Sequence, residues 1–176
     1  MLCSFAFVKK IIPMIQRIQT LFQALSIVAL SVFLFVPIWS KTSPDKTKNV
    51  VLDAWARTDY SATANTLNNT IVSASSNWYI AASAILGIVI LAFSITQYKN
   101  RLMQMKLGIA FSLTILATGV TTFMGIKVAE EVTDPKFIGF NEVGLYLPFV
   151  ALFLNMAANR FIRKDEQLVR SMDRLR

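Results

Sequence analysis

The chain has 176 residues, 55% of them hydrophobic and only 16% charged, with 18 Lys and Arg against 10 Asp and Glu. A soluble domain carries about 25% charged residues, so the composition argues against an ordinary soluble enzyme and leaves room for one membrane-embedded helical bundle. With no histidine and the single cysteine Cys3, a histidine-based acid–base or metal centre and an intramolecular disulfide are both excluded.

The first residues, Met1–Pro13, precede a natural-looking start at Met14-Ile15-Gln16-Arg17 and read as an N-terminal extension, from an upstream start or as a short interfacial segment. Four apolar stretches follow, at about Thr20–Trp39, Trp78–Thr96, Leu107–Ile126 and Val143–Ala158, and no Lys, Arg, Asp or Glu falls inside any of them. At 1.5 Å per residue, about 20 apolar residues cross a hydrocarbon core of about 30 Å. The expected fold is therefore an all-α antiparallel bundle of four transmembrane helices filling residues 14–160. The first stretch reads as a retained helix ending at Pro37 and Trp39, since Pro37-Ile38-Trp39-Ser40 offers no small-x-small cleavage site.

The segment 40–77 is expected to lie outside the bilayer. Lys41-Thr42-Ser43-Pro44-Asp45 is a turn-forming run, Val50–Trp55 is compatible with a short strand, and Thr58–Ser76 suggests a hairpin or interfacial helix anchored by Leu67, Ile71 and Val72. The second stretch has aromatic residues at both ends (Trp78, Tyr79 and Tyr98), as at membrane interfaces. The ten-residue connection Gln97–Lys106 makes the second and third helices antiparallel neighbours. On the third, Ala110, Thr114, Thr118 and Thr122 recur every four residues, and Ser83 and Gly87 form a small-xxx-small pair on the second; these two faces are expected to meet. In the fourth, Pro148 predicts a kink at the freed Gly144 carbonyl, and Asn155 and Asn159, one turn apart, predict hydrogen bonds to a neighbouring helix.

Beyond Arg160 the tail 161–176 is basic and helix-like, with Phe161, Leu168, Met172 and Leu175 on one face and Arg163, Lys164, Arg170, Arg174 and Arg176 among them. Such a helix suits anionic lipid headgroups or a docked partner at the membrane surface. Twelve cations flank the ends of the stretches on the side of the termini, six flank the other side, and seven of the ten acids lie on that other side. The positive-inside rule then places both termini in the cytoplasm and 40–77 outside. Topology accounts for the basic excess without invoking nucleic acid.

The search for chemistry yields little. There is no pair of intramembrane carboxylates, no nucleophile elbow and no glycine-rich phosphate loop, so no catalytic, cofactor or metal residues are expected. The sharpest polar candidate is Glu142 with Asn141, where the fourth stretch meets the outer surface. Drawn into the bundle beside the threonines, Glu142 could bind a proton or cation; as an interfacial carboxylate at a helix N-terminus it would be structural.

Met14–Thr20, Tyr98–Gln104 and, most specifically, Asn159–Arg176 together resemble a family of bacterial four-helix membrane proteins of the Bacteroidota type, classed as a domain of unknown function. The resemblance runs from Met14 to Arg176 and implies an inner-membrane location; it carries over no site residues. The functional expectation is a small accessory or scaffold subunit bound to another membrane protein. The rivals are a transporter or channel working through Glu142, and an anchor that recruits a cytoplasmic partner through its basic tail.

Overall fold

The computed structural model describes residues 18–45, 48–62, 69–97, 100–133, 136 and 138–173. Four α-helices carry the bundle: α1 (Ile18–Phe33), α2 (Trp78–Thr96), α3 (Arg101–Val132) and α4 (Leu147–Asp173). Each packs on its neighbours in the chain, and α1 against α4 closes the ring.

Most buried positions follow an alternation of four and three residues, with Ala29, Ala81 and Ile126 buried beside that line. On α1 they are Gln19, Gln23, Ser26, Leu30 and Phe33; on α2, Ile80, Ala84, Gly87, Leu91 and Ser94; on α4, Pro148, Ala151, Asn155, Ala158 and Ile162. On α3 the same rhythm runs from Gln104 to Ala129. This is the heptad seam of a knobs-into-holes bundle. The outward faces are apolar too: Leu21, Val28, Val89, Leu113, Phe123 and Phe153 are all exposed. Contiguous apolar surface on that scale is foreign to soluble monomers and suits a helix facing lipid. Three helices, over Trp78–Thr96, Leu102–Glu131 and Val143–Lys164, are long and apolar enough to cross a membrane, while the apolar part of α1, Gln19–Phe33, is shorter.

The fold is not all-α. A five-stranded antiparallel sheet caps one end of the bundle, built from β1 (Trp39–Thr42), β2 (Lys48–Leu52), β3 (Ala56–Ala62), β4 (Asn69–Ser76) and β5 (Ile138–Asn141) in the order β4-β3-β2-β1-β5. Trp39 pairs with both Leu52 and Asn141, and β3 is displaced by a bulge between Asp59 and Tyr60. The first stretch is correspondingly shorter than its hydropathy suggests. Its helix stops at Phe33, a turn follows, and Pro37 holds the residue before it out of the helical region. Trp39, expected at the end of the first helix, lies buried in β1 against Gly139 of β5.

Two other boundaries also move. The loop expected over Gln97–Lys106 shrinks because α3 begins at Arg101. Pro148 does not kink a helix: Val143–Tyr146 form one 3₁₀ turn and α4 starts at Leu147, so Pro148 sits in the first helical turn, where a missing N–H breaks no bond.

Hydrogen bonds to backbone carbonyls weld sheet to bundle. Ala81 N–H donates to Ala54 O (3.1 Å), Gly144 N–H to Pro37 O (3.1 Å) and the Trp55 indole Nε1–H to Leu34 O (2.9 Å). Beneath them one apolar cluster joins Phe33, Ile38, Leu52, Ile80 and Ile126, and a second, around Leu30, Leu91, Phe111 and Ile115, fills the middle of the bundle.

Candidate functional site

At the end of the bundle away from the sheet, heptad core positions turn polar. The Gln23 amide on α1 donates to Ser94 Oγ on α2 (3.0 Å), and Gln104 Nε2 on α3 donates to the Ser94 carbonyl (3.2 Å). Ser26 Oγ contacts both Phe22 O in its own helix (2.9 Å) and Ala151 O on α4 (3.2 Å). Asn155 Nδ2 on α4 reaches Gly108 O (2.9 Å) and Ser112 Oγ (3.1 Å) on α3. All four helices thus meet in one polar layer, and Gln23, Gln104 and Asn155 are completely buried. The amides of Gln23, Gln104 and Asn155 donate in these bonds, while the carbonyl oxygens of Gln23, Gln104, Asn155 and Asn159 have no protein partner. Polar groups at heptad positions fix register and pairing at some cost in stability, which is the chemistry this layer performs.

The second feature lies toward the sheet, between α3 and α4. An elongated groove opens sideways, made of two contiguous cavities of about 350 Å³ each that share Gly119, Phe123, Pro148 and Phe149. Its walls are apolar for most of their length. At the sheet end they carry Lys127, Glu130 and Asn141, with Lys127 Nζ 3.5 Å from Glu130 and 5.6 Å from the centre of the Phe123 ring. Gly119 leaves the groove open: a Cβ there would meet nothing within 4 Å. Thr122, 2% exposed, lines the same groove, and its hydroxyl has no partner.

The residues singled out in the sequence are divided among these places. Asn155 and Asn159 both face Gly108 of α3. Gly87 packs on Leu30, Phe111 and Ile115 rather than on the threonines. Ser83, Thr114 and Thr118 bond carbonyls of their own helices, those of Ile80, Ala110 and Thr114. Asn141 and its neighbour Glu142 point to different places: Asn141 lines the groove with Thr122, whereas the Glu142 carboxylate accepts a hydrogen bond from Ser40 Oγ on β1 (2.7 Å). Glu142 is therefore tied to the sheet and not brought to the threonines. Arg160, Arg163 and Lys164 are exposed on the last third of α4, which stays packed on α1 through the stacked rings of Phe22 and Phe161 (5.6 Å). Arg174 and Arg176, the Arg170 side chain and Leu67 lie outside the described residues.

Sequence reasoning passed over Gln19, Gln23, Ser94, Gln104 and Gly108. The available signal was their spacing, since Gln19-Gln23-Ser26 and Gln104-Gly108-Phe111 both keep the four-three rhythm of the core.

A family model described as a domain of unknown function, DUF4293, matches residues 15–175. The chain belongs to this family. The match takes in all four helices, the sheet, the polar layer and the groove, so these are features of one DUF4293 domain rather than of an appended module. No curated protein matches the chain.

Proposed function

We propose that the protein is a small, non-enzymatic accessory or scaffold subunit of a larger assembly in the inner membrane, with both termini cytoplasmic and the sheet on the opposite face. The distribution of cations, twelve on the side of the termini against six on the side of the sheet, supports the orientation. The observation that carries the role is β4. It is the longer of the sheet's two edge strands, its residues 71–76 are all exposed, and Asn-Thr-Ile-Val-Ser-Ala-Ser-Ser contains no charge and no proline. Proteins ordinarily blunt an open edge with Lys, Pro or a short strand. An eight-residue, uncharged edge bearing Ile71 and Val72 in solvent suits strand addition by an extramembrane segment of a partner.

The test is crosslinking in native membranes followed by purification and mass spectrometry, with the double variant Ile71→Lys/Ser73→Lys as control. A stoichiometric membrane-protein partner is expected with the wild-type chain and its loss is expected with the variant, the bundle remaining folded. Recovery of the wild-type chain alone would refute the proposal, and so would a partner indifferent to the two lysines.

A further inference from the structure

We propose that the groove between α3 and α4 binds one phospholipid whose headgroup carries both a phosphate and a primary ammonium. The dimensions suit one leaflet. Along α3 the groove runs from Ile115 to Glu130, about 22 Å at 1.5 Å per residue, and half a hydrocarbon core is about 15 Å, which leaves the remainder for the headgroup. Its deep end, around Leu116, Gly119 and Leu152, is wholly apolar and accommodates an acyl chain.

Its sheet end is charged with both signs. Lys127 and Glu130 are about half exposed and 3.5 Å apart. An exposed ion pair of this kind contributes little by itself, so it opens at small cost to a zwitterion of the same spacing. The phosphate then takes the Lys127 ammonium and the ligand's ammonium takes the Glu130 carboxylate. A primary ammonium suits this end better than a quaternary one because Glu130 and the Asn141 side-chain oxygen accept hydrogen bonds, which only N–H can donate. An anionic headgroup without the ammonium would leave Glu130 facing a phosphate.

Thr122 supplies an independent pointer. It lies five residues before Lys127, about 7.5 Å deeper along the helix, at the depth of the ester linkages. There its enclosed hydroxyl has no partner in the protein, and a turn of the side chain toward the groove it lines would let it donate to an ester carbonyl. An unmet buried hydroxyl in a groove wall is a group that calls for a ligand.

The experiment is native mass spectrometry of the full-length protein after delipidation and exposure to equal amounts of phosphatidylethanolamine, phosphatidylcholine and phosphatidylglycerol with the same acyl chains. One phosphatidylethanolamine per protein is expected, retained about fivefold over either competitor, the factor given by one modest charge-assisted contact. Glu130→Gln should abolish the preference over phosphatidylcholine, and Lys127→Gln should lower retention of both by a similar factor. Gly119→Leu, which fills open space on a helix and adds helix propensity, should reduce retention of all three with the thermal midpoint kept. Equal retention of the three lipids would overturn the proposal by showing that the groove merely takes up bulk acyl chains. A preference for phosphatidylglycerol would overturn it by leaving Lys127 to act alone, and unchanged retention in Gly119→Leu would place the lipid elsewhere.

Discussion

The side-chain amide of Asn155 on α4 donates to the main-chain carbonyl of Gly108 on α3 at 2.9 Å, with both residues buried in the bundle core. The bond exists because Gly108 has no side chain. It lets α4 approach closely enough for an amide to reach a carbonyl that already serves its own helix. The same glycine faces Asn159, one turn further along α4.

Asn155→Ala removes this bond and the one to Ser112 Oγ (3.1 Å). Interhelical hydrogen bonds in membrane bundles are worth about 0.6 to 2 kcal/mol, so a loss of about 1 kcal/mol is expected, read from reversible unfolding in mixed micelles. An unchanged unfolding free energy would show that the polar layer contributes nothing to the folded state.

Gly108→Ala places a methyl group on the Asn159 amide, which must swing aside. Overpacking of this kind costs about 1 to 3 kcal/mol. Because the obstacle is a side chain, the cost should largely vanish in an Asn159→Ala background, giving a coupling of at least about 1 kcal/mol in a double-mutant cycle. Simple additivity of the two substitutions would contradict this packing.

Gly144→Ala offers a sharper contrast. Here the added Cβ would overlap the Pro37 carbonyl and crowd the Val36 carbonyl, both of them backbone. The 3₁₀ turn carries the Gly144 N–H bond to Pro37 O (3.1 Å) that links α4 to the end of α1. No side-chain substitution can relieve a backbone clash, so a loss of about 2 kcal/mol or more is expected. Faster proteolysis in the sheet than in the helices would locate the damage.

Asp53 follows β2 on the sheet, and burial raises its carboxyl above the ordinary 3.8. The folded state therefore binds a proton more readily than the unfolded one. Above the raised value the charged carboxylate weakens the fold, and stability should rise as pH falls through that value toward 3.8. Asp53→Asn is expected to raise the thermal midpoint at neutral pH and to remove this part of the pH dependence. A midpoint that drops in Asp53→Asn at pH 7 would mean that the charged form makes a stabilising contact instead.

Hydropathy was sufficient to locate the apolar stretches in the chain, because contiguous uncharged residues mark them whatever they later touch. It could not say which residues form the core. In a bilayer the outer face is as apolar as the interior, so the hydrophobic stripe that reveals a core in a soluble helix is absent here. Thus Leu113 and Phe123 stand outside while Gln104 and Asn155 stand inside. Asn159 lies against Gly108 with its side-chain oxygen unpartnered, whereas Asn155 was legible as helix glue from its residue type alone. Gln23 and Ser94 were not, because nothing local ties positions 71 residues apart.

The sheet marks the same limit. Val50–Trp55 carried a strand signal, and the Ser- and Thr-rich Thr58–Ser76, which holds β4, read equally well as a hairpin or an interfacial helix. The pairing of β5 with β1 across nearly 100 residues exists only once the helices bring residues 138–141 beside Trp39. The sequence by itself determined the apolar stretches, the charge asymmetry of the segments that flank them and the absence of histidine chemistry, since each is a sum over residues that needs no partner. Tertiary structure alone decided the sheet, the polar layer, the tie of Glu142 to Ser40 and the groove between α3 and α4, since each depends on which surfaces meet at a distance along the chain.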